Sequence, residues 1–301
     1  MKRLFALIIV LALLGSAALA EGKLSVVCTD FPCYDFARAV AGDLADVTML
    51  IKPGMEVHFY DPSPADIMTV EDADVFIFIG GESDEWVENV LDSFGDSGPV
   101  PLRLMEAVDD LIEEEEGEEA HESETPEYDE HIWTSPRNAM AMVLAMGASL
   151  GVADPANAES YAQAASAYAA RIGEIDARIA ELVSGAARRE LVFADRFPFI
   201  YFVREYGLGY EAAFPSCTAQ TEASPQTILR LIDKVVDEDI PVIYTIEMSA
   251  QNVARIVAEE TGAEILTLHS MQTVSRDEFE AGETYLSLME RNIEALRRGL
   301  E

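Results

Sequence analysis

The sequence contains few basic residues. Among its 301 residues, 20 Lys and Arg stand against 56 Asp and Glu, which gives a net charge of −36. Proteins that bind nucleic acid by releasing counterions need clusters of Lys and Arg, so this class of function is excluded. Hydrophobic residues nevertheless make up 50% of the chain, a fraction that excludes a disordered acidic polymer. The length and composition predict an acidic globular protein with two domains.

Cysteine is scarce as well, and several sequence motifs of enzymes are absent. Cys28, Cys33 and Cys217 are the three cysteines, so at most one disulfide bond can form. Their spacing leaves open whether Cys28 or Cys33 pairs with Cys217 or whether all the thiols are free. The sequence has no Walker loop, no H-E-x-x-H and no C-x-x-C motif, and Gly80-Gly81 lacks the G-x-G-x-x-G spacing of a dinucleotide-binding turn. These absences disfavour the enzyme classes that such motifs mark.

Residues 1–20 have the features of a cleavable signal peptide. Lys2 and Arg3 precede an apolar run over residues 4–14, and Ala18-Leu19-Ala20 matches an A-x-A cleavage site. The apolar run is shorter than the roughly 20 residues that a membrane-spanning helix needs, although a retained anchor is the alternative. We therefore expect cleavage after Ala20 and export to the periplasm or the extracellular space, where disulfide bonds are stable. No cysteine directly follows the cleavage site to carry a lipid.

Short apolar segments alternate with helical patterns in both halves of the chain. Segments of this length that are rich in Val, Ile and Phe are typical of buried strands. Their alternation with helices predicts an α/β fold with mostly parallel sheets covered by helices on both faces. The predicted strands cover residues 23–28, 46–51, 74–79, 191–194, 242–246 and 264–268, and the predicted helices cover residues 34–41, 64–72, 85–94, 225–237, 250–261 and 284–299.

The middle of the chain contains an unusually long helical pattern. Over residues 157–183 apolar positions recur at intervals of three and four, and no proline interrupts them. This pattern predicts one helix about 40 Å long, entered near Pro155 and ended near Gly185. We therefore expect a first lobe over residues 21–152, a linking helix over residues 153–186 and a second lobe over residues 187–301.

One segment differs from the rest in its charge. Between residues 109 and 130, 13 of 22 residues are Asp or Glu and none is Lys or Arg. Such a run predicts a solvated loop. It either serves as a solubilising insertion or collects cations at low affinity, with His121 adding a nitrogen ligand.

The chain has only four histidines, and three of them occupy informative positions. His58 and His269 each follow a predicted strand, at the end where parallel α/β sheets bind ligands. His131 closes the acidic segment, just before a helix start at Ser135-Pro136. Imidazole is the commonest ligand of transition metals in proteins. The three histidines therefore predict a metal site between the two halves, the alternative being that they are ordinary polar loop residues.

Several segments in this order resemble one known protein family. They read P-G-M-E-V-H at 53–58, Y-D-P-S-P at 60–64, D-E-H-I-W-T-S-P at 129–136, Y-G-L at 206–208 and Y-L-S-L-M-E-R-N at 285–292. Together they resemble the zinc/manganese solute-binding proteins of ABC transporters over nearly the whole mature chain. The resemblance implies two α/β lobes joined by one long rigid helix. It also implies a monomeric binding protein without enzymatic activity, which delivers a metal to a membrane permease served by a cytoplasmic ATPase.

The resemblance also implies which residues bind the metal. The first two histidine ligands of the family correspond to His58 and His131. The third family ligand, His or Glu, follows the first strand of the second lobe. Counting from that strand gives Asp195, whereas counting back from Tyr201 gives Arg196. Since a guanidinium cannot bind a cation, the resemblance favours Asp195.

The place of the family's fourth ligand, an Asp, is taken by His269 in this sequence. Further residues near the cleft of the family could complete or support the ligand set: Glu56, Cys217, Glu222 and Glu247. A disulfide bond between Cys33 and Cys217 is also compatible with an exported protein.

The ligand set His58, His131, His269 and Asp195 bears on the identity of the metal. Three imidazoles and one carboxylate suit Zn²⁺ better than Mn²⁺, and manganese or iron are the alternatives within the same family. A secreted metallohydrolase is a different possibility. It would need a metal-bound water beside a general base such as Glu56 or Glu222. A third possibility is an acidic surface protein that buffers cations or adheres to a partner without a defined site.

Overall fold

The computed structural model describes residues 22–113, 127–214 and 223–301. In these ranges the chain forms two α/β lobes joined by a long helix, which confirms the predicted fold class. The strands are β1 Leu24–Cys28, β2 Ala45–Met49, β3 Val75–Phe78, β4 Val100–Arg103, β5 Glu190–Phe193, β6 Gly209–Ala212, β7 Val242–Thr245 and β8 Glu264–Thr267. The α-helices are α1 Phe31–Ala41, α2 Pro64–Glu71, α3 Glu85–Phe94, α4 Pro136–Ala153, α5 Ala158–Gly185, α6 Ile200–Tyr206, α7 Pro225–Asp237, α8 Asn252–Thr261, α9 Arg276–Ala281 and α10 Tyr285–Leu300.

Each lobe contains one four-stranded sheet, and the two sheets have the same topology. The strand orders are β2-β1-β3-β4 and β6-β5-β7-β8, and every pairing is parallel. In a parallel sheet all strands end at the same edge, so the loops that follow them gather there. Helices pack on both faces because the central strands β1, β3, β5 and β7 are apolar and almost entirely buried.

Two strands differ from the sequence-based prediction, which omits β4 and β6. β4 contains Pro101, and β6 begins at Gly209; both residue types weaken a strand pattern. Both strands lie at an edge of their sheet. At an edge, the missing N–H donor of a proline is tolerated. The two strands therefore carry too little apolar periodicity to be recognised from sequence.

The long helix α5 packs against α4 as an antiparallel hairpin. At their closest approach, a Cβ on Gly147 would lie 2.6 Å from the Cβ of Ala165, so α4 needs glycine there. One face of α5 is buried in a continuous apolar core that also includes residues of both lobes, such as Phe36 and Leu296. No helix in the described ranges combines the length and the apolar character that crossing a membrane requires.

The C-terminal helix α10 belongs to the second lobe but enters the core of the first. The side chain of Tyr285 is fully buried and meets the ring of Phe36 edge to face at 4.9 Å. The Tyr285 N–H donates to Asp35 Oδ2 over 3.0 Å, and its hydroxyl donates to the carbonyl of Trp133 over 2.9 Å. The hydroxyl of Tyr168 on α5 donates to the same Asp35 oxygen over 2.7 Å. Asp35 therefore joins both lobes to the linking helix.

Some predictions lie outside the described residues. These are the signal peptide, most of the acidic segment with His121, and two candidate site residues, Cys217 and Glu222. The other two cysteines, Cys28 and Cys33, are free and buried. The Cys33–Cys217 disulfide stays a prediction.

Candidate metal centre

His58 lies in the loop between β2 and α2, at the end of the sheet where strands finish. The loop is fixed at its far end by Ser63, whose side chain and backbone form a capping box with Asp66 at the start of α2. At its near end Gly54 has a φ of +81° and donates its N–H to Thr273 Oγ1 of the second lobe over 3.3 Å. This arrangement places the His58 side chain, which is 3% exposed, in the interior.

His131 precedes a short 3₁₀ turn, Ile132–Thr134, which leads into α4. Its backbone N–H donates to Asp129 Oδ1 over 2.9 Å, and its ring Nδ1 lies 3.1 Å from the same oxygen. A carboxylate accepts only, so Nδ1 is the protonated nitrogen and Nε2 carries the lone pair. This carboxylate–histidine pairing is the usual arrangement behind a metal-binding imidazole, because it fixes the tautomer and the orientation of the ring.

Three side chains of the first lobe converge. His58, Glu130 and His131 each offer one ligand atom within 4.8 Å of the others, and the two imidazole centroids are 5.5 Å apart. In the described ranges, no other group of three His, Cys, Asp or Glu side chains comes this close. Two imidazoles and a carboxylate at this separation can hold one divalent transition metal.

Glu130 is held in place by the turn after β3. Ser83 donates its backbone N–H to Glu130 Oε2 over 2.8 Å and its hydroxyl to Oε1 over 2.5 Å. His58 Nδ1 lies 3.2 Å from the same Oε1. A Cβ on Gly81 would lie 2.3 Å from the Cβ of Glu130, so the close approach requires glycine. Gly80 beside it has a φ of +99°, which also favours glycine.

The electrostatic environment of Glu130 keeps it ionised. Burial by itself raises the pKa of this carboxyl group, but the hydrogen bond from His58 and the positive charges that His131 and His58 carry once protonated at low pH outweigh it. Together with the Ser83 hydroxyl they lower the pKa of Glu130 to about 2. A carboxylate that is ionised at neutral pH is ready to bind a cation without first releasing a proton.

Sequence reasoning missed Glu130 as a member of this cluster, although it adjoins His131. It lies at the end of the acidic segment, where a single buried carboxylate cannot be distinguished from solvated ones by composition. The one available signal was Gly80-Gly81, because a glycine pair after a strand indicates close approach of another group.

The structure places His269 outside this cluster. Its Nδ1 accepts the backbone N–H of Met271 over 2.9 Å, and its Nε2 lies 3.9 Å from Glu278 Oε2 at the start of α9. Asn292 on α10 pairs with the backbone N–H and carbonyl of His269 over 2.7 and 2.8 Å. The interaction with His269 lowers the pKa of Glu278 in spite of its partial burial. His269 therefore joins β8 to α9 and α10.

The other candidate carboxylates of the second lobe are bonded to backbone. Asp195 accepts the N–H of Arg196 over 2.9 Å with Oδ1 and the N–H of Ile246 over 3.4 Å with Oδ2. Glu247 accepts the N–H and the hydroxyl of Ser270 over 2.8 and 2.5 Å. Both residues lie at the ends of strands, as predicted, but within the described ranges neither belongs to a group of three potential ligands.

Glu56 joins the two lobes instead of facing the cluster. Its Oε2 accepts from Arg196 Nη1 over 3.1 Å, which forms an ion pair across the lobe junction. Arg196 is the alternative position for the third ligand, and its guanidinium here neutralises a carboxylate of the first lobe.

The second lobe reaches the cluster through an amide. Gln272 Nε2 lies 3.1 Å from His58 Nε2 and 3.5 Å from Glu130 Oε1. Nearby, Trp133 donates its indole N–H to the carbonyl of Ser270 over 2.7 Å. Sequence motifs of metal sites seldom contain an amide side chain. No feature of the sequence therefore pointed to Gln272.

Comparison with known proteins identifies the family. The family model described as zinc-uptake complex component A, periplasmic, matches residues 26–299. The chain belongs to this family.

Individual members of the zinc-uptake component A family resemble the chain over most of its length. The zinc-binding lipoprotein AdcA of Streptococcus pneumoniae strain R6 is 32% identical over 286 residues, which cover 93% of this chain and 56% of AdcA. The chain thus spans about half of the length of this relative. The high-affinity zinc uptake system protein ZnuA of Bacillus subtilis is 29% identical over 293 residues, which cover 95% of this chain and 90% of ZnuA.

Solved structures show the same fold. The Zn(II)-bound ZnuA-like domain of S. pneumoniae AdcA superimposes with a TM-score of 0.78 at 30% identity, covering 93% of this chain and 99% of that domain. The metal-dependent lipoprotein YcdH of B. subtilis gives a TM-score of 0.81 at 28% identity, covering 93% of this chain and all of that one.

In this family member, two further carboxyl groups are buried next to the cluster. Asp84 accepts the N–H groups of Ile79 and Gly80 over 2.8 and 3.0 Å, and Asp30 caps α1 by accepting from Cys33. Burial raises the pKa of Asp84 to about 8, with the charge of Asp30 adding to it. Burial likewise raises the pKa of Asp30 to about 7, against the hydrogen bonds from Cys33.

One enzyme-like string has a structural explanation. Residues 147–151 read G-A-S-L-G, the spacing of a hydrolase nucleophile elbow. That motif works only on a sharp turn between a strand and a helix. Here the string lies inside α4, where Gly147 serves the packing against α5. The string therefore carries no catalytic site.

Proposed function

We propose that this protein binds Zn²⁺ outside the cytoplasm and delivers it to the permease of an ABC importer. The observation that carries the proposal is the buried cluster of His58, Glu130 and His131. Two imidazole rings and one ionised carboxylate converge there, and the surrounding backbone holds the carboxylate in position.

The chemistry of the cluster favours zinc over manganese. Zn²⁺ accepts imidazole nitrogens together with one carboxylate in a tetrahedral arrangement, whereas Mn²⁺ prefers six oxygen-rich ligands. The likeness to AdcA and ZnuA, whose names specify zinc, supports the same metal. Manganese and iron are the competing cargoes within the family.

Delivery to a permease follows from the position of the cluster at the lobe junction. A metal held by the first lobe within reach of Gln272 links the occupancy of the site to the contact between the lobes. A membrane permease can then recognise the loaded form by its surface. We propose export by cleavage of the signal peptide after Ala20, without lipid attachment, and action as a monomer.

A secreted metallohydrolase is less compatible with the geometry. Hydrolysis needs an open metal position with a water molecule and a general base beside it. Gln272 contacts His58 Nε2, and the candidate base Glu56 is paired with Arg196. The described parts of the chain therefore favour metal capture.

The test is a calorimetric titration of the metal-stripped chain with Zn²⁺ and, separately, with Mn²⁺. We expect one tight zinc site, which His58→Ala and His131→Ala each weaken by at least about 100-fold, because removal of a mere supporting partner already costs 10–100-fold. Two matched histidine variants, His121→Ala and His269→Ala, should keep zinc affinity within about threefold, since neither side chain belongs to the proposed ligand set.

Two outcomes would contradict the proposal. Multiple weak sites that survive His131→Ala would favour an acidic cation buffer. Loss of zinc binding in His269→Ala, with an unchanged melting temperature, would restore the ligand set that the family resemblance implies.

A further inference from the structure

We propose that helix α6 of the second lobe positions the metal-binding side chains of the first lobe. Its residues Tyr201 and Glu205 hold the two ends of residues 129–135, which we call the ligand segment. The ligand segment contains Glu130 and His131. Neither Tyr201 nor Glu205 touches the cation, so both are positioning residues. This inference rests on the proposed function, because it concerns the affinity for the same cation.

Tyr201 holds the start of the ligand segment through its hydroxyl group. The hydroxyl donates to the carbonyl of Asp129 over 2.8 Å and accepts the N–H of Ile112 over 3.1 Å. Ile112 and Asp129 are also joined directly, since the Asp129 N–H donates to the Ile112 carbonyl over 2.9 Å. Tyr201 is only 4% exposed, so water competes little for either bond. One hydroxyl of the second lobe therefore fixes two chain positions of the first.

Asp129 connects Tyr201 with the imidazole of His131. Its Oδ1 accepts the backbone N–H of His131 over 2.9 Å and lies 3.1 Å from the ring Nδ1. A carboxylate in this position sets the orientation of a ligating imidazole, and its removal typically lowers metal affinity by about 10- to 100-fold. Because Tyr201 holds the backbone of Asp129, the orientation of the His131 ring depends on the position of α6.

Glu205 lies one helical turn after Tyr201 and holds the other end of the ligand segment. Residues four apart lie on the same face of a helix, so both side chains reach the first lobe from one face of α6. Glu205 Oε2 accepts the hydroxyl of Ser135, and the Ser135 oxygen caps α4 by accepting the N–H of Asn138 over 3.1 Å. The Glu205 side chain is 6% exposed. It therefore fixes the junction between the ligand segment and α4.

The helix α6 is firmly seated in the second lobe, as a positioning element must be. Phe202 and Val203 are buried. Phe199, just before the helix, stacks on Phe193 of β5 with the ring centroids 5.2 Å apart. Gly207 ends the helix with a φ of +63°, a conformation that glycine adopts easily. Tyr201 and Glu205 therefore keep a fixed position relative to the sheet of the second lobe.

The middle of the ligand segment is held from the second lobe as well. Trp133 donates its indole N–H to the carbonyl of Ser270, and its own carbonyl accepts the hydroxyl of Tyr285. Separation of the lobes would break these contacts together with those of Tyr201 and Glu205. The apparent affinity of a site falls in proportion to the fraction of molecules that hold the binding conformation. Zinc affinity therefore depends on α6 remaining docked on the first lobe.

The experiment compares Tyr201→Phe with Tyr206→Phe in the full-length metal-stripped chain, titrated with Zn²⁺ against a competing chelator. Each variant removes one hydroxyl from α6 and keeps the aromatic ring. Tyr206→Phe is the matched control, because its hydroxyl donates to Asp176 on α5 over 2.8 Å and not to the ligand segment. We expect Tyr201→Phe to weaken zinc binding about 10-fold. Tyr206→Phe should stay within about twofold, although it too loses a hydrogen bond of the fold.

A second pair of variants tests Glu205. Glu205→Ala removes the acceptor of the Ser135 hydroxyl and should weaken zinc binding about 10-fold. Glu205→Gln keeps a carbonyl oxygen that can accept the same hydroxyl, so its affinity should return to within about threefold of the unsubstituted chain. This pair also decides the question if Tyr201→Phe does not fold.

A further readout needs no metal. The ¹⁵N resonance of His131 Nδ1 reports whether the ring stays bonded to Asp129 Oδ1. It should shift in metal-free Tyr201→Phe, because the Asp129 backbone loses its support, and it should stay in place in Tyr206→Phe. A loss of general stability alone would affect both variants in the same way.

The results separate this inference from the proposed function. Unchanged zinc affinity in Tyr201→Phe would overturn the inference, and so would an equal loss of affinity in Tyr206→Phe. Glu205→Gln binding as weakly as Glu205→Ala would overturn the role assigned to Glu205. If His131→Ala binds zinc as tightly as the unsubstituted chain, the proposed function itself fails. The resonance of His131 in the metal-free chain then still decides whether α6 positions the ring.

Discussion

The two lobes share one sheet topology, yet they use the polar residues at their strand ends differently. In the first lobe, His58 follows β2, Ser83 follows β3, and Glu130 and His131 come after β4; these side chains face one another. The first lobe thus concentrates ligand atoms at the edge of its sheet.

In the second lobe the corresponding residues form no group of three potential ligands within the described ranges. Asp195 after β5 accepts two backbone N–H groups, Glu247 after β7 accepts from Ser270, and His269 after β8 accepts from Met271. A polar residue at a strand end is therefore an insufficient sign of a ligand. Glu130 likewise accepts the N–H and the hydroxyl of Ser83, so what distinguishes it from Glu247 is that two imidazoles lie close to it.

The sharpest test of this difference replaces one carboxylate in each lobe by an amide. Glu130→Gln should weaken zinc binding by at least about 10-fold, because the charged ligand is lost while the Ser83 contacts keep an acceptor. Glu247→Gln should leave zinc affinity within about threefold and instead lower the melting temperature. Calorimetric titration and thermal melts of both variants check this. Equal losses of affinity would mean that both lobes bind the metal directly.

A second test concerns the pH dependence of the first lobe's stability. The pKa values of Asp30 and Asp84 rise to about 7 and about 8 in the folded protein, from 3.8. The folded state therefore holds protons that the unfolded chain has released. The stability from these groups is complete below pH 4 and is lost as the pH rises through 7 to 8.

We expect the melting temperature of the metal-free chain to fall between pH 6 and pH 9. Asp84→Asn keeps an acceptor for Ile79 and Gly80 but removes one titrating group, so its melting temperature should fall less over the same interval. Thermal melts in a chelating buffer at pH 6, 7.5 and 9 measure both slopes. Parallel slopes would show that Asp84 does not titrate in this range.

The smallest expected effect lies at the ion pair that joins the lobes. Arg196 and Glu56 are 25% and 42% exposed, and partly exposed pairs contribute at most about 1 kcal/mol. A double-mutant cycle with Arg196→Ala and Glu56→Ala should give a coupling energy below this value, reduced further in 1 M salt by screening. A coupling well above it would make this pair the main polar contact across the junction.

Much of the fold follows from the sequence because its signals are local. Apolar runs and the regular spacing of residues 157–183 predicted most strands and the long helix. Pro101 and Gly209 concealed the two edge strands, since they interrupt the pattern without preventing strand pairing at a sheet edge.

The site is less predictable because its chemistry depends on contacts distant in sequence. His58 follows the strand-end rule, His131 was singled out by its position before a helix start, and the two come together as expected of one site. His269 obeys the same rule, but the N–H of Met271 occupies its Nδ1, which only the loop geometry reveals. Glu130 contacts Ser83, which lies 47 residues earlier in the chain, and Gln272 contacts His58, which lies 214 residues earlier. No spacing within one segment could have indicated either.

The burial of Tyr285 in the first lobe has a consequence for the order of folding. Domains usually fold as they emerge from the ribosome, the N-terminal one first. Here the aromatic contact with Phe36 and the bond to Asp35 come from α10, and Tyr285 follows Asp35 by 250 residues. The first lobe cannot complete its core until α10 has been synthesised. A chain whose first lobe completes its core this late stays unfolded for longer during synthesis. An unfolded chain can still pass through a secretion channel.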